Sequence, residues 1–148
     1  MKAYTDGACR CGNPGETSCA FAVFNSTGEV VHQFSTYLGP EMHTNNYAEY
    51  QGLLHLLRWA FGFYHYGLDI YCDSNLVVQQ VLGKWKMTEK SLHLQPFQEE
   101  SYALLVRGCH RLHHIKGHNG DPGNEYVDKL CNTALDEEFA RRKNGKEL

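Results

Sequence analysis

The sequence contains no apolar run long enough to cross a membrane, and no basic segment followed by an apolar one marks a secretory leader. We therefore expect an unanchored, cytoplasmic protein with no membrane partner. No linker and no internal repeat interrupts the 148 residues, a length that suits one domain. We predict a single domain over residues 1–148, in which the charged residues 141–148 form a frayed tail.

The chain also lacks an excess of basic residues. It carries 14 Lys and Arg against 17 Asp and Glu, which gives a formal net charge of −3. Modules that bind nucleic acid tightly are usually basic, because neutralised phosphates supply most of their affinity. The charge balance argues against such a module. It argues little against a metal-dependent enzyme, whose acidic site would itself lower the total.

Six cysteines are present, but their spacing does not match a zinc site. Cys9 and Cys11 are separated by one residue, which is shorter than the usual zinc-knuckle spacing. Cys109 and the histidines that follow it lack a second cysteine pair at a fitting distance. A chain of this size does not need disulfides, and nothing marks it as secreted. We expect free thiols and no structural zinc.

The hydrophobic pattern and the turn residues predict the element order β-β-β-α-β-α-α-β-α. The predicted strands cover residues 3–5, 18–24, 30–38, 68–72 and 111–115. The predicted helices cover residues 46–64, 74–82, 94–107 and 124–141. Three antiparallel strands followed by β-α-β units imply an α/β fold with a mixed five-stranded sheet and helices on its faces.

Four carboxylates stand where these elements would meet at one edge of the sheet. Asp6 is predicted to end the first strand, and Asp73 follows the fourth. Glu49 lies in the first turn of the first helix and Asp128 just inside the last one. Strand ends in an open α/β sheet converge on one crevice where ligands collect. Like charges gathered there cannot all stay ionised unless cations are held among them, and oxygen ligands favour hard divalent ions.

Each acid also has a structural explanation when it is considered alone. Asp6 precedes a glycine, which is a common turn pair. Glu49 stands three residues after Asn46, the spacing of a capping box. Asp73 could cap the helix that follows it, and Asp128 could be a solvated helix position. Four such coincidences at one edge of one sheet are less plausible than a metal site.

Motifs around these acids occur in a characteristic order along the chain. They are Tyr4-Thr5-Asp6-Gly7-Ala8 with Gly12-Asn13-Pro14-Gly15, Thr44-Asn45-Asn46-Tyr47-Ala48-Glu49, Asp73-Ser74-Asn75, and Gly117-His118 followed by Gly123-Asn124-Glu125-Tyr126-Val127-Asp128. Together they cover the chain to about residue 135, and the sequence resembles the type 1 ribonuclease H family. The resemblance implies a ribonuclease H-like fold with the strand order 3-2-1-4-5.

The resemblance also implies an activity, namely endonucleolytic cleavage of the RNA strand of RNA–DNA hybrids that leaves 5′-phosphate and 3′-hydroxyl ends. Two Mg²⁺ ions, with Mn²⁺ as a possible substitute, would be held by Asp6, Glu49, Asp73 and Asp128, and Asp6 would bridge both. Two ions roughly 3.5–4 Å apart can activate a water and stabilise the leaving oxygen. His118 matches the family's loop histidine, which assists proton transfer or product departure. The alternative for His118 is a solvated loop position.

Substrate contacts follow from the same resemblance. Four amides match the positions that meet the 2′-hydroxyls of RNA in the minor groove: Asn13, Asn45, Asn46 and Asn75. Thr44 matches a residue that grips a phosphate of the DNA strand. Lys84, Trp85 and Lys86 could hold the DNA backbone, and the alternative for Trp85 is a partly buried anchor. The long basic protrusion of many family members is missing, so we expect weak, salt-sensitive binding of the hybrid.

We expect a monomer that needs no obligate protein partner. The main alternative is a catalytically silent binding module on the same fold, against which the intact set of four acids argues. A second alternative is another nuclease of the superfamily, such as a proofreading exonuclease or an integrase-like domain, but these lack the Thr-Asn-Asn and Gly-His motifs. A flavodoxin-like nucleotide binder is disfavoured because no Gly-rich turn joins a strand directly to a helix.

Overall fold

A computed structural model describes residues 1–117 and 119–146, without the side chain of Lys146. The strands are β1 (Lys2–Arg10), β2 (Glu16–Phe24), β3 (Val30–Tyr37), β4 (Asp69–Cys72) and β5 (Arg111–His114). The helices are α1 (Asn45–Gly62), α2 (Asn75–Val81), α3 (Gln95–Arg107) and α4 (Pro122–Lys146), with a 3₁₀ helix (Glu89–Leu94) before α3. Among these residues, no helix combines the length and apolarity that crossing a bilayer requires.

The five strands form one mixed sheet in the order β3-β2-β1-β4-β5. β1 pairs antiparallel with β2, which pairs antiparallel with β3. β4 pairs parallel with both β1 and β5. The predicted mixed sheet and its strand order are therefore confirmed.

The two faces of the sheet carry different apolar layers, because successive side chains of a strand point to opposite faces. Ala3 and Ile70 belong to the main core, which is completed by residues of α1, α2 and α3. Tyr4 and Tyr71 lie on the other face, where Tyr4 packs with Val127 of α4. β1, which carries Asp6, meets α1, which carries Glu49, on the face of the main core. α4 packs against the opposite face.

β1 is longer than the sequence predicted. Its pairing with β4 stops at Thr5 opposite Cys72, but its pairing with β2 continues as far as Arg10 opposite Glu16. The prediction that Asp6 ends the strand is therefore wrong, since the turn-rich residues beyond it still form antiparallel pairs. Asp6 instead lies where the parallel pairing stops. It still occupies the edge at which the parallel strands end.

The first helix begins one residue earlier than predicted, and its cap differs from the expected one. Thr44 is the N-cap, and its Oγ1 accepts a hydrogen bond of 3.2 Å from the backbone N–H of Tyr47. The structural explanation of Glu49 as part of a capping box with Asn46 is therefore wrong. Glu49 lies in the second turn, not the first, and its carboxylate remains available for other partners.

Asp73 is also free of a capping role. Ser74 is the N-cap of α2, and its hydroxyl accepts a hydrogen bond of 3.3 Å from the backbone N–H of Val77. The structural explanation proposed for Asp73 from the sequence is therefore wrong. The carboxylate follows directly after β4, where the predicted crevice begins.

The last helix extends beyond the predicted limits at both ends. It begins at Pro122, two residues early, and continues to Lys146, five residues further than predicted. The tail that was expected to fray is helical as far as the structure describes it. Arg142 lies in this part and forms ion pairs with Glu16 at 2.9 Å and Glu138 at 3.2 Å. The ion pair with Glu16 ties the end of α4 to β2.

α1 approaches β1 closely at two glycines. A methyl group at Gly52 would lie 2.6 Å from the carbonyl oxygen of Asp6, and one at Gly7 would lie 2.4 Å from the carbonyl carbon of Ala48. Neither distance is possible for a real Cβ, so both positions require glycine at the present spacing. This close contact is what brings Glu49 beside Asp6.

Substituting Gly52 tests the importance of this contact for stability. Gly52→Ala should destabilise the fold by roughly 1–3 kcal/mol, the usual cost of overpacking a core, although alanine favours helices by about 1 kcal/mol over glycine. Gly62→Ala, in the same helix, places its methyl group in open space and should be neutral or stabilising. Urea unfolding of both variants provides the measurement. Equal stabilities of the two variants would contradict the close packing of α1 on β1.

Candidate active site

Three carboxylates meet at the edge where the parallel strands end. Asp6 comes from β1, Glu49 from α1 and Asp73 from the residue after β4. One oxygen atom of each lies within 4.8 Å of the others, so the three groups could share a metal ion. Asp128 of α4 lines the same recess, which has a volume of about 310 Å³, but lies outside this compact triad.

The backbone of Gly7 holds two of the acids together. Its N–H donates to Oδ1 of Asp6 at 2.9 Å and also to the carboxylate of Glu49. Both side chains are nearly inaccessible to water, with exposed fractions of 4% for Asp6 and 7% for Glu49. A single backbone donor is therefore shared by two carboxylates that solvent hardly reaches.

Burial and mutual repulsion make the charged state of this pair unfavourable. Burial raises the pKa of Asp6, and the negative charge of Asp73 raises it further. Burial also raises the pKa of Glu49 well above its usual value, and the charge of Asp6 adds to this effect. A divalent cation would offset both effects by supplying positive charge to the oxygen ligands. The donor set therefore fits a hard metal ion.

A second feature, which we call the amide groove, adjoins the acidic recess. It has a volume of about 600 Å³ and contains six of the predicted substrate contacts: Asn13, Thr44, Asn45, Asn46, Trp85 and Lys86. Asn13 donates through Nδ2 to Oδ1 of Asn45 at 2.8 Å, and the backbone N–H of Asn45 donates to Oδ1 of Asn13 at 3.0 Å. Asn45 lines both the groove and the recess.

The structure separates two predicted contacts from this groove. Asn75 is exposed at the start of α2, where its Oδ1 accepts a hydrogen bond of 3.0 Å from Gln79. Lys84 is exposed but does not line the groove. Trp85 is 47% exposed on the groove wall, which is compatible both with the predicted contact to the DNA backbone and with a partly buried anchor. The predicted catalytic residue His118 lies outside the described residues.

Several groove residues were missed by the sequence analysis. The 3₁₀ helix and the residue before it supply Thr88, Lys90, Ser91 and His93. The backbone N–H of Thr88 donates to Oγ of Ser91 at 2.8 Å, and the two residues form a capping box. The Thr-x-x-Ser spacing could have revealed this helix start. The hydrophobic periodicity gave no sign of so short an element.

Comparison with known proteins agrees with this geometry. The family model for ribonuclease H matches residues 1–136 of the chain. The chain belongs to the ribonuclease H family. The resemblance suggested by the motifs is confirmed, and so is membership of a family of enzymes.

Relatives of this ribonuclease H are found among archaea and bacteria. A ribonuclease HI of Halobacterium salinarum is 31% identical in an alignment of 146 positions that covers 93% of this chain and 65% of that protein. The chain therefore spans just under two thirds of the length of that relative. A ribonuclease H of Bartonella quintana is 33% identical in an alignment of 160 positions that covers 98% of this chain and 93% of the relative.

Solved structures give the same result for the fold. The crystal structure of ribonuclease H1 from Halobacterium salinarum superimposes with a TM-score of 0.79 at 31% identity, covering 92% of this chain and 97% of that one. A structure of LC11-RNase H1 in complex with an RNA/DNA hybrid gives a TM-score of 0.80 at 27% identity, covering 93% and 98%.

The buried acids predict an unusual dependence of stability on pH in the metal-free protein. The folded-state pKa values of Asp6 and Glu49 lie above those of the unfolded chain. Their contribution to stability is therefore present at acidic pH and is lost as the pH rises through the folded values. In EDTA, Asp6→Asn should be more stable than the wild type at pH 8, by about 1 kcal/mol or more, because one pKa unit corresponds to about 1.4 kcal/mol.

Thermal unfolding in EDTA between pH 4 and pH 8 measures this difference, which should shrink towards pH 4. Asp69→Asn is a suitable control. Asp69 lies outside the recess, and its hydrogen bonds with Arg111 lower its pKa, so its removal should not stabilise the protein at high pH. A stability difference between Asp6→Asn and the wild type that does not vary with pH would contradict the raised pKa values.

Proposed function

We propose that this ribonuclease H is an endonuclease that hydrolyses the RNA strand of RNA–DNA hybrids and leaves 5′-phosphate and 3′-hydroxyl ends. The observation that carries the proposal is the position of the amide groove, which opens beside the acidic recess and shares Asn45 with it. A related ribonuclease H1 has been crystallised with an RNA/DNA hybrid. Amide groups are suited to meeting the 2′-hydroxyls that distinguish RNA from DNA.

Four carboxylates would hold the metal ions: Asp6, Glu49, Asp73 and Asp128. The proposed ions are two Mg²⁺, or Mn²⁺ in their place, since hard divalent cations prefer carboxylate oxygens. Such a pair, when bound, activates a water and stabilises the departing 3′-oxygen. The support for this assignment is the compact triad and the two buried carboxyl groups whose charge needs compensation.

The chain's own groups would orient the acids and the RNA strand. The N–H of Gly7 fixes one oxygen each of Asp6 and Glu49, so neither carboxylate rotates freely. Asn13 engages Oδ1 of Asn45, which leaves the Nδ2 of Asn45 as a donor for a 2′-hydroxyl. These hydrogen bonds orient the side-chain amide of Asn45, which lies directly beside the acids and would contact the RNA strand there.

Other residues of the groove would hold the DNA strand. Thr44 accepts from the backbone with its Oγ1, so its hydroxyl proton remains available for a phosphate oxygen. The exposed indole of Trp85 offers a surface for a sugar, and the exposed Lys86 and Lys90 offer positive charge. Both strands of a hybrid would thus be met by one chain, which supports action as a monomer without an obligate partner.

Cleavage of labelled nucleic acids tests the proposed reaction. In Mg²⁺ the protein should cleave the RNA strand of a hybrid and leave duplex RNA, duplex DNA and single strands uncut. EDTA should abolish the activity. Extension of the product by a polymerase should show a free 3′-hydroxyl end. Equal cleavage of duplex DNA, or full activity in EDTA, would refute the proposal.

Variants in the same assay separate the proposed roles. Asp73→Asn should abolish turnover, because it removes a ligand from the triad. His118 is proposed, from the resemblance alone, to assist proton transfer or product departure without holding metal. His118→Ala should therefore slow turnover without eliminating it, by up to roughly 10²–10⁴-fold for general acid–base assistance. Near wild-type activity of Asp73→Asn would contradict the metal assignment.

The lysines of the groove should act on binding more than on chemistry. Lys86→Ala combined with Lys90→Ala should raise KM more than it lowers kcat, since these groups would hold substrate and transition state alike. The slope of log affinity against log salt should become shallower by up to about 2, because each phosphate contact contributes roughly 0.9 on duplex DNA. Lys143→Ala, near the end of α4, is the control for loss of a lysine outside the groove. If the control reduced the slope and the groove variant did not, the binding surface would lie elsewhere.

A further inference from the structure

The two elements that carry Asp6 and Asp128 lie side by side and are joined on either side of these acids. Asp6 belongs to β1 and Asp128 to α4. Two groups of contacts connect the elements, one beginning at Tyr4 and the other at Arg10. We call them the tyrosine clasp and the arginine clasp. Neither involves a carboxylate of the acidic recess.

The tyrosine clasp fixes the start of α4. The hydroxyl of Tyr4 donates to Oδ2 of Asp121 at 3.3 Å. The other oxygen of Asp121 accepts from the backbone N–H groups of Gly123 at 2.9 Å and Asn124 at 3.2 Å, in the first turn of the helix. A methyl group at Gly123 would lie 2.2 Å from the ring of Tyr4. The first turn is therefore seated directly on this ring.

The arginine clasp holds α4 beyond Asp128. The guanidinium of Arg10 forms an ion pair with Asp136 at 2.7 Å. It also donates to Oδ1 of Asn132 at 2.9 Å and to the backbone carbonyl of the same residue at 3.2 Å. Nδ2 of Asn132 in turn donates to the backbone carbonyl of Asp128 at 3.0 Å. Arg10 is thus connected to the backbone of Asp128 through one side chain.

The spacing of the clasps matches along both elements. Tyr4 and Arg10 are six residues apart, or about 20 Å at roughly 3.3 Å per strand residue. Asp121 and Asp136 are fifteen residues apart, or about 22 Å at 1.5 Å per helical residue. Asp6 and Asp128 lie between these points. The two clasps therefore bracket the acids and set how α4 lies along β1.

Such a restraint is needed because the two acids repel each other. Asp6 and Asp128 line the same recess, where like charges disfavour each other. Asp128 is also outside the compact triad, so its distance from the other ligands depends on where α4 is held. Val127, which packs on the same face as Tyr4, is fully buried and restricts rotation of the helix. A ligand held in advance binds metal more tightly than one that must be ordered.

We propose that Tyr4 and Arg10 are positioning residues that hold Asp128 at the distance from Asp6 that metal binding requires. This inference rests on the proposed function, in which Asp128 is a metal ligand. The pair of Arg10 and Asp136 is partly exposed, with side-chain exposures of 30% and 66%, and such pairs contribute little to stability. The effect of the arginine clasp should therefore appear in metal affinity more than in unfolding.

Calorimetric titration of the metal-free protein with Mn²⁺ tests this role without measuring activity. The double variant Tyr4→Phe with Arg10→Met should bind Mn²⁺ roughly tenfold more weakly than the wild type, the lower range for groups that orient metal ligands. Asp128→Asn should also weaken binding. Adding the clasp substitutions to Asp128→Asn should cause no further loss, because they act through Asp128.

Two matched controls remove the same groups elsewhere. Tyr71→Phe removes the hydroxyl of a ring that stacks on the ring of Tyr4, with 5.1 Å between the ring centroids. Arg58→Met breaks an ion pair with Glu100 that lies away from α4. Both controls should bind Mn²⁺ like the wild type, and circular dichroism should show all variants folded. Should the double variant fail to fold, the single variants carry the same comparison.

The outcomes distinguish the clasps from the function on which they rest. If Asp128→Asn weakens binding and the clasp variants do not, the positioning role is wrong while the proposed metal site stands. If the clasp substitutions weaken binding equally in the Asp128→Asn background, they act through general loosening and the inference is overturned. If Asp128→Asn binds like the wild type, Asp128 is not a ligand and the positioning role fails with that assignment, while the proposed cleavage reaction stands on its own assay.

Discussion

The burial of two carboxylates against each other is the constraint on which the site depends. Asp6 and Glu49 share one backbone donor and are almost closed to water. This arrangement exists because glycines at positions 7 and 52 let α1 approach β1 more closely than any side chain would allow. The free-energy cost of the buried charges falls on the metal-free protein and would be offset by a bound cation. The metal-free protein is thus less stable because of a site that would be favourable only with a cation bound.

One helix connects the acids with the amide groove. The first residues of α1 and its cap supply Thr44, Asn45 and Asn46 to the groove, and Glu49 follows one turn later. Because the helix is rigid and tightly packed on β1, the amides cannot move independently of the carboxylate. In the proposed function, recognition of the RNA strand and metal binding would therefore share one rigid frame. The fourth acid differs, since it arrives on α4, which lies on the opposite face of the sheet and is held at separate contacts.

The sequence predicted those features that depend on periodicity and on strand ends. Convergence of Asp6 and Asp73 follows from the rule that parallel strands end at one edge, and the structure brings both together with Glu49. Local competition between side chains was less predictable. Thr44 is the N-cap of α1, although the sequence spacing suggested Asn46. Ser74 is the N-cap of α2, although the sequence also allowed Asp73. The length of β1 depends on its pairing with β2. The turn-rich composition of the residues after Asp6 gave no indication of this pairing.

The charge distribution explains how an acidic chain can act on nucleic acid. With a net charge of −3, the protein cannot rely on general attraction to phosphates, and the described groove offers only two lysines, Lys86 and Lys90. The metal ions would supply positive charge at the scissile phosphate, while uncharged amides recognise the sugar. Metal and hybrid would then each strengthen binding of the other, since a coupling between two binding sites is reciprocal. The acidic recess would repel nucleic acid when empty and become attractive only when loaded, so the ion would also decide when substrate binds.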